Sequence, residues 1–485
     1  MFLKALELFE FERSKFKMHI GLKHTLFIYL FFIVLPSAFH TLSAQDNDAY
    51  VGPDPRNAKS NKAGLPNPLV SPLHSIWTNQ VGDAYSEGFC ICNSPEHITY
   101  TGGDRLIKMD ESGKQMWMKT WPTELGLRIE GIGADFNNNV YCAGHFNGSI
   151  LKLDSLTLKG RGTSSGFIAK YSPAGKIIWA MVIASDVKVT AKALALAPKG
   201  AVYIAGQFTG KTLKIGEGSN PNSTAQGRGG SDIFILKVDP LGHTQWLKTY
   251  GSKGDEEATA ITTDIENRVY IAGTFSGPKL GFGQDSLQKP HPMDKSTQFF
   301  LLKLDKMGGQ LWATTQSELP QSSVRALITD TMSNVYMLGQ YVPDGDRELQ
   351  NYLVRINDQG KMEWAKKVRP RQEADVQAMV FSKRGGVVVT GTYQDTTYAG
   401  GRVATFVAGY DVKGTATWIS TLGVETQWQA KSIAADNAGC VYLCGNAFES
   451  QHPYFSTRLG IPNSIGNIGH SRSQRTGGGF EKGEY

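Results

Sequence analysis

Along most of the chain, apolar and polar residues alternate with a period of two in short runs, and clusters of Gly, Asn and Asp separate the runs. That alternation predicts half-buried β-strands joined by tight turns. One stretch shows the grammar. Residues 258–264 (ATAITTD) read as a strand, 265–267 (IEN) as a turn and 268–273 (RVYIAG) as a second strand. After a polar insertion, 299–305 (FFLLKLD) is a third strand, 307–309 (MGG) a turn, and Gln310-Leu311-Trp312 opens a fourth. Four hairpin-linked strands per unit predict the blade of a β-propeller.

The unit recurs. Trp77, Trp117, Trp179, Trp246, Trp312, Trp364 and Trp418 are followed 23 or 24 positions later by Tyr100, Tyr141, Tyr203, Tyr270, Tyr336, Val388 and Tyr442. A fixed period of this kind marks a repeat architecture. The turn glycines Gly113, Gly175, Gly242, Gly360 and Gly414 precede the tryptophans, which supply large rigid wedges between blades. Ten residues before each Tyr (or Val388) stand only small residues: Cys90, Gly131, Ala193, Ala260, Ala326, Ala378 and Ser432. Cys90 therefore reads as a packed small residue. The expected fold is all-β: a single seven-bladed propeller of four-stranded antiparallel blades over 74–460. The strand around Trp77 serves as outer strand of the last blade, so that the N- and C-terminal strands pair and no edge stays free. The third strand of that last blade lacks the Lys-x-Asp pattern of the others, and only 454–458 (YFSTR) offers a substitute.

Lys23 and His24 precede an apolar run from Leu26 to Phe39, and Leu42-Ser43-Ala44 offers a small-residue cleavage site. Residues 1–44 thus read as a signal peptide, with Met18 a natural start, 45–73 as a linker and 461–485 as a disordered tail. The apolar run is too short to span a bilayer, which takes about 20 residues. The expectation is a secreted or cell-envelope protein without a transmembrane segment in its mature chain. Beyond position 44 there are 45 basic and 41 acidic residues, and no basic run marks a nucleic-acid groove. Five cysteines without CxxC spacing are neither a disulfide framework nor a zinc site.

The unit VYxxGxF…FxxKxDxxGxxxW, over about residues 74–450, resembles the SBBP-type β-propeller repeat of secreted bacterial proteins. The resemblance implies seven blades and an extracellular or envelope location, and it carries no common activity. The turn Asp-x-x-Gly-x-x-x-Trp (Asp110 to Trp117, Asp239 to Trp246) is similar to the tryptophan-docking turn of quinoprotein propellers, one residue shorter. That likeness implies shared blade geometry.

Candidate function rests on two polar rows. Eleven residues before each Tyr (or Val388) come Phe89, Glu130, Lys192, Thr259, Arg325, Gln377 and Lys431, placed at the start of the inner strands. Four residues after come His145, Gln207, Thr274, Gln340, Thr392 and Asn446. Both rows point to the face that also carries the insertions of variable length. Glu130, Lys192, Thr259, Arg325, Gln377, Lys431, His145, Gln207 and Gln340 are the candidate ligand-binding residues of a cation-leaning ring suited to an acidic or hydroxyl-rich ligand. The alternative is that polar residues cap strand ends and hold water in the channel. No HExxH, GxSxG or Walker-type loop occurs, and Asp344-Gly345-Asp346 lacks the further ligands of a Ca²⁺ loop. The pattern points to a non-enzymatic, monomeric module with no cofactor or metal that binds a protein partner or glycan on the loop-rich face. A polysaccharide lyase or hydrolase using Lys192, Arg325 and His145 is the runner-up, and an envelope assembly scaffold the third reading.

Overall fold

The computed structural model describes residues 74–461 apart from 82–87, 199, 217–222, 284, 292–295, 344–347, 369–373, 383–385, 396–400, 423–426 and 448–453. The signal peptide, the linker, the turn at 344–346 and the tail beyond 461 fall outside the described residues. Among those described, the one helical element with both ends described is the 3-10 turn Thr123–Leu125, and strand and turn make up nearly all the rest.

The strands pair antiparallel in quartets that follow chain order. The first quartet is Gly88–Asn93, Thr99–Gly103, Arg105–Met109 and Gln115–Thr120. The second is Arg128–Ala134, Val140–Asn147, Ser164–Tyr171 and Ile177–Ser185. The third is Lys188–Leu196, Val202–Thr209, Ser231–Val238 and Thr244–Tyr250. The fourth is Glu256–Thr263, Val269–Phe275, Gln298–Leu304 and Gln310–Thr314. The fifth is Ser323–Thr329, Val335–Tyr341, Gln350–Ile356 and Met362–Lys367. The sixth is Asp375–Phe381, Val387–Asp395, Arg402–Tyr410 and Ala416–Leu422. A last sheet is composite: Trp428–Ala435, Val441–Ala447 and Tyr454–Gly460 are joined by His74–Val81 from the other end of the chain. A single parallel bridge, Ser164 to Lys188, merges the second and third quartets into one larger sheet.

The first strands pack side by side from sheet to sheet, and the strand Gly88–Asn93 also touches Trp428–Ala435. Four-stranded antiparallel sheets packed through their first strands make a β-propeller. The small row explains the close approach. A Cβ on Gly131 would sit 2.7 Å from the backbone nitrogen of Leu194 in the next sheet. Cys90 is buried, and its Sγ lies 3.5 Å from the Ile129 carbonyl oxygen.

The 24-residue Trp…Tyr period turns out to span two sheets. The aromatic contact itself is made within a sheet, Trp117 with Tyr100 and Trp246 with Tyr203, at centroid distances of 6.1 and 5.8 Å. The period stays constant because the variable insertions lie between the Tyr-bearing strand and the Trp-bearing strand of one sheet. The stretch that crosses to the next sheet varies by one residue at most, 23 positions from Trp77 to Tyr100 and 24 in the other six.

Each of the first four sheets grips its successor at one carbonyl. Trp117 Nε1 and Lys108 Nζ both donate to Pro173 O, at 3.0 and 2.8 Å. Trp179 and Lys170 converge on Pro240 O, Trp246 and Lys237 on Lys306 O, and Trp312 and Lys303 on Asp358 O. The lysines stand over the tyrosine rings of their own sheets, 4.7 Å from the centroid for Lys170 over Tyr141. A buried ammonium is held by this combination of carbonyl and ring. In the composite sheet Arg458 stands in the lysine's place. It lies 5.5 Å from the Tyr442 centroid, with Nη2 3.2 Å from Asp436 Oδ2.

Two insertions fold as hairpins that cover sheet edges. Thr212–Ile215, paired with Thr224–Gln226, adds onto Ile177–Ser185 of the preceding sheet through Ile183↔Ile215. Lys279–Phe282, paired with Asp285–Gln288, reaches the sheet before it through the Gly251↔Gly281 bridge and the Tyr250–Phe282 ring contact at 5.1 Å. Covered edges cannot template pairing with another chain.

All five cysteines are free thiols, and four of them are buried. Burial pushes the thiols of Cys90, Cys92 and Cys444 up and that of Cys142 to about 12, which suppresses the reactive thiolate. The native protein is therefore expected to resist a thiol-specific chromogenic reagent at mildly alkaline pH and to react at all five cysteines once unfolded in guanidinium. Fast reaction of more than one thiol in the native state would contradict this.

Candidate functional site

Every first strand carries a β-bulge at the same place. The register skips Glu130, Lys192, Thr259, Arg325, Gln377 and Lys431 in their sheets, and Phe89 in the first. These are the residues of the first polar row. A bulge leaves one residue unpaired and re-aims its side chain. The second strand accommodates the bulge with the glycine of VYxxG. A Cβ on Gly144, Gly206, Gly273, Gly339, Gly391 or Gly445 would lie between 1.8 and 2.1 Å from a carbonyl oxygen of the bulged strand. The glycine is required by that close approach.

Among the bulged side chains, Lys192, Thr259 and Arg325 reach the next sheet, whereas Gln377 and Glu130 meet residues of their own sheets. Lys192 Nζ lies 3.0 Å from Glu257 Oε1, each side chain about one-third exposed. Thr259 Oγ1 donates to Val324 O at 3.0 Å. Arg325 Nη2 donates to Gln340 Oε1 at 2.9 Å and stands 4.0 Å from Asp375 Oδ1. Gln340 Nε2 donates to Asp375 Oδ1 and Asn351 Oδ1, and Gln377 Nε2 donates to Asp375 Oδ2 at 2.6 Å. His145 Nδ1 is 3.9 Å from Glu130 Oε1. Lys431 is half-buried at the equivalent bulge, and the side-chain oxygen of Asn446 accepts from the Gly88 N–H.

Of the nine candidate residues, the structure thus joins Arg325, Gln340 and Gln377 in one network through Asp375, and sets Glu130 beside His145. Lys192, Thr259, Gln207 and Lys431 stand at their repeated positions in other clefts. The sequence reading missed Glu257 and Asp375, the carboxylates that meet Lys192 and Arg325. Both stand two residues before a bulge position, Thr259 and Gln377, and that offset was available as a signal. Among the described residues no group of His, Cys, Asp and Glu is arranged to hold a metal.

Burial lowers the pKa of His145 to about 4, with the charges of Arg128, Lys192 and Lys188 adding to the effect. Its folded pKa lies below the unfolded value, so the stability it contributes is present above about pH 6.5 and is lost as pH falls toward 4. Denaturation midpoints measured from pH 7 to 4 should fall more steeply for the native protein than for His145→Gln. Equal slopes would show that His145 is not held neutral.

A cavity of about 390 Å³ lies at the opposite ends of the first strands, where turns lead into the second strands. It is lined by Asp135, Phe136, Pro198, Asp264, Ile265 and Asp330, with other residues of the same turns, and by none of the nine candidates. Its carboxylates are engaged within their own turns: Asp264 accepts from Arg268 and Tyr270, and Asp330 from Asn334. Phe136 on its lining and Met332 on the adjoining turn are each 76% exposed.

No family model matches the chain. An uncharacterized WD repeat-containing protein, L264, of Acanthamoeba polyphaga mimivirus is 19% identical over 461 residues, covering 77% of this chain and 33% of that protein. The regulatory protein FlaEY of Caulobacter vibrioides is 26% identical over 113 residues, 23% of this chain and 12% of its own length. The chain therefore spans about a third or less of these relatives. Among solved structures, the Pan2 WD40 domain of Neurospora crassa has a TM-score of 0.48 at 10% identity, with 81% of this chain and 96% of that one covered.

Proposed function

We propose that the chain is a secreted or cell-envelope propeller of the SBBP type. Its sheets are seven blades, closed by the pairing of His74–Val81 with Tyr454–Gly460. It works as a non-enzymatic, monomeric binding module whose bulge-bearing face takes a protein partner or a glycan. The observation that carries this reading is the bulge at one position in every sheet. Each bulge takes one residue of the first polar row out of the strand register, and bulges recur at the rims of barrels and beside sites. The side-by-side packing of the first strands, including the contact between the first and the composite sheet, supports closure. Saturable binding of a glycan or protein by the purified chain, without product release, is the expected result. Release of reducing ends or unsaturated sugars from a polysaccharide would overturn it in favour of the lyase or hydrolase reading. Against catalysis by Lys192, Arg325 and His145 stands their placement against different partners: Glu257, Gln340 with Asp375, and Glu130.

A second reading, protein docking on the turn face, is favoured by the exposed Phe136, Ile265 and Met332 around the cavity there. Under that reading Phe136→Ser with Met332→Ser would release a protein partner that the native chain retains.

A further inference from the structure

The ring of bulges is electrically uneven. Between the fifth and sixth sheets Arg325, Gln340, Asn351, Asp375 and Gln377 satisfy one another. On the side of the second and third sheets, the buried His145 Nδ1 and Gln207 Oε1 are among the polar atoms without a hydrogen-bond partner. His145 lies in register with Arg128, on a strand that packs against Lys188–Leu196. Gln207 lies in register with Thr190 on the strand paired to Lys188–Leu196. Both therefore border the first strand of the third sheet, which carries the exposed Lys188 and the bulged Lys192.

The local inventory is cationic but mixed. The charges of Arg128, Lys188 and Lys192 act on His145, Lys192 pairs with Glu257, Glu130 lies 3.9 Å from His145, and the Arg128 guanidinium is 4.8 Å from the Phe89 ring centroid. The lysines can bind a carboxylate, while Gln207 Oε1, a ring nitrogen of the neutral imidazole and the Glu130 carboxylate can accept from hydroxyls. A simple anion would meet the first need and leave the acceptors unmet. A neutral sugar would do the reverse.

We propose that this sector, built on His145, Lys188, Lys192 and Gln207, binds a carboxylate that also carries hydroxyl groups, the chemistry of a uronate unit in an acidic saccharide. The proposal rests on the reading of the bulge-bearing face as the binding face. Lysines supply the charge, and the two orphaned acceptors supply selectivity, because an analogue lacking the hydroxyls would leave them buried and unpaired.

The test is calorimetric titration of the full chain with oligogalacturonate, with the matching neutral galacto-oligosaccharide and with monomeric galacturonate. Oligogalacturonate is expected to bind in a salt-sensitive manner and at least tenfold more tightly than the neutral oligomer. Lys192→Gln and Gln207→Leu should each weaken it at least tenfold, while Lys192→Arg restores it. Monomer binding as tight as oligomer binding would identify a small hydroxy acid as the ligand source. Lys188→Gln, at an exposed position, serves if Lys192→Gln does not fold. Undetectable binding of both acidic probes overturns the proposal, as does binding that survives these substitutions. Binding lost only in Arg325→Gln would keep the face and reject the sector. Equal binding of the neutral oligomer would keep the face and reject the carboxylate.

Discussion

Gly273→Ala should destabilise the protein by about 3 kcal/mol or more, the upper end of what overpacking a dense interior costs. The added Cβ would lie 1.8 Å from Glu257 O and 2.8 Å from Ala258 Cα, so its neighbours are backbone atoms that cannot rotate away. Relief requires undoing the bulge at Thr259, which would shift the register of Glu256–Thr263 against Val269–Phe275. Gly281→Ala is the control. No atom lies within 4 Å of its would-be Cβ, and the change should stay within about 0.5 kcal/mol. Urea denaturation midpoints of the two variants decide the matter. A loss below about 1 kcal/mol for Gly273→Ala would mean that the bulge is not a fixed feature of the strand.

Trp246→Ala should cost about 3–5 kcal/mol, as truncation of large buried aromatics does. The indole is 9% exposed. Its ring lies against Gly308 of the next sheet and near Tyr203 of its own, and Nε1 donates to Lys306 O at 3.3 Å. Truncation opens a cavity at the junction of two sheets and leaves Lys237 Nζ to donate to that carbonyl. Trp246→Phe keeps most of the ring and loses the donor, so it should cost about 1 kcal/mol for the hydrogen bond plus a smaller packing loss. Equilibrium unfolding followed by circular dichroism separates the two. Equal losses for Ala and Phe would assign the whole effect to the hydrogen bond and overturn the wedge role of the ring.

The fourth unit shows how far local pattern reaches. Its expected strands at 258–264, 268–273, 299–305 and the start at 310 correspond to Glu256–Thr263, Val269–Phe275, Gln298–Leu304 and Gln310–Thr314. Alternation and turn residues are local properties, and they fix local structure. The same pattern carried the row positions of Lys192 and Arg325, because a repeat places equivalent residues at equivalent heights. It did not carry the bulges. A strand with one residue too many still alternates on either side of it, and only the pairing partner reveals the skip. The role of the Lys-x-Asp lysine was equally hidden. Lys303 reads as a surface charge on a strand, yet it is 2% exposed, because Tyr270 and the Asp358 carbonyl receive it from two different sheets.

The candidate site divides in the same way. The residue types and their level were legible from the repeat. Which cation meets which carboxylate was not, since Lys192 with Glu257 and Arg325 with Asp375 are contacts between sheets. The insertions also read differently once folded. The paired strands Thr212–Ile215 with Thr224–Gln226 and Lys279–Phe282 with Asp285–Gln288 belong to the variable insertions, and they cover the edges of preceding sheets.

By itself, then, the sequence determined the all-β class, the repeating four-strand unit and the small and polar rows, since each follows from side-chain periodicity and turn chemistry within a few tens of residues. Only the tertiary structure decided the residue register with which His74–Val81 meets Tyr454–Gly460, the bulges within the polar row, and the carbonyl on which each Trp–Lys pair converges. It also decided that His145 and Gln207 keep unpartnered atoms while Gln340 does not. These are outcomes of which strand meets which across hundreds of residues, and of how much water is excluded where they meet. Neither quantity is a property of any single stretch of chain.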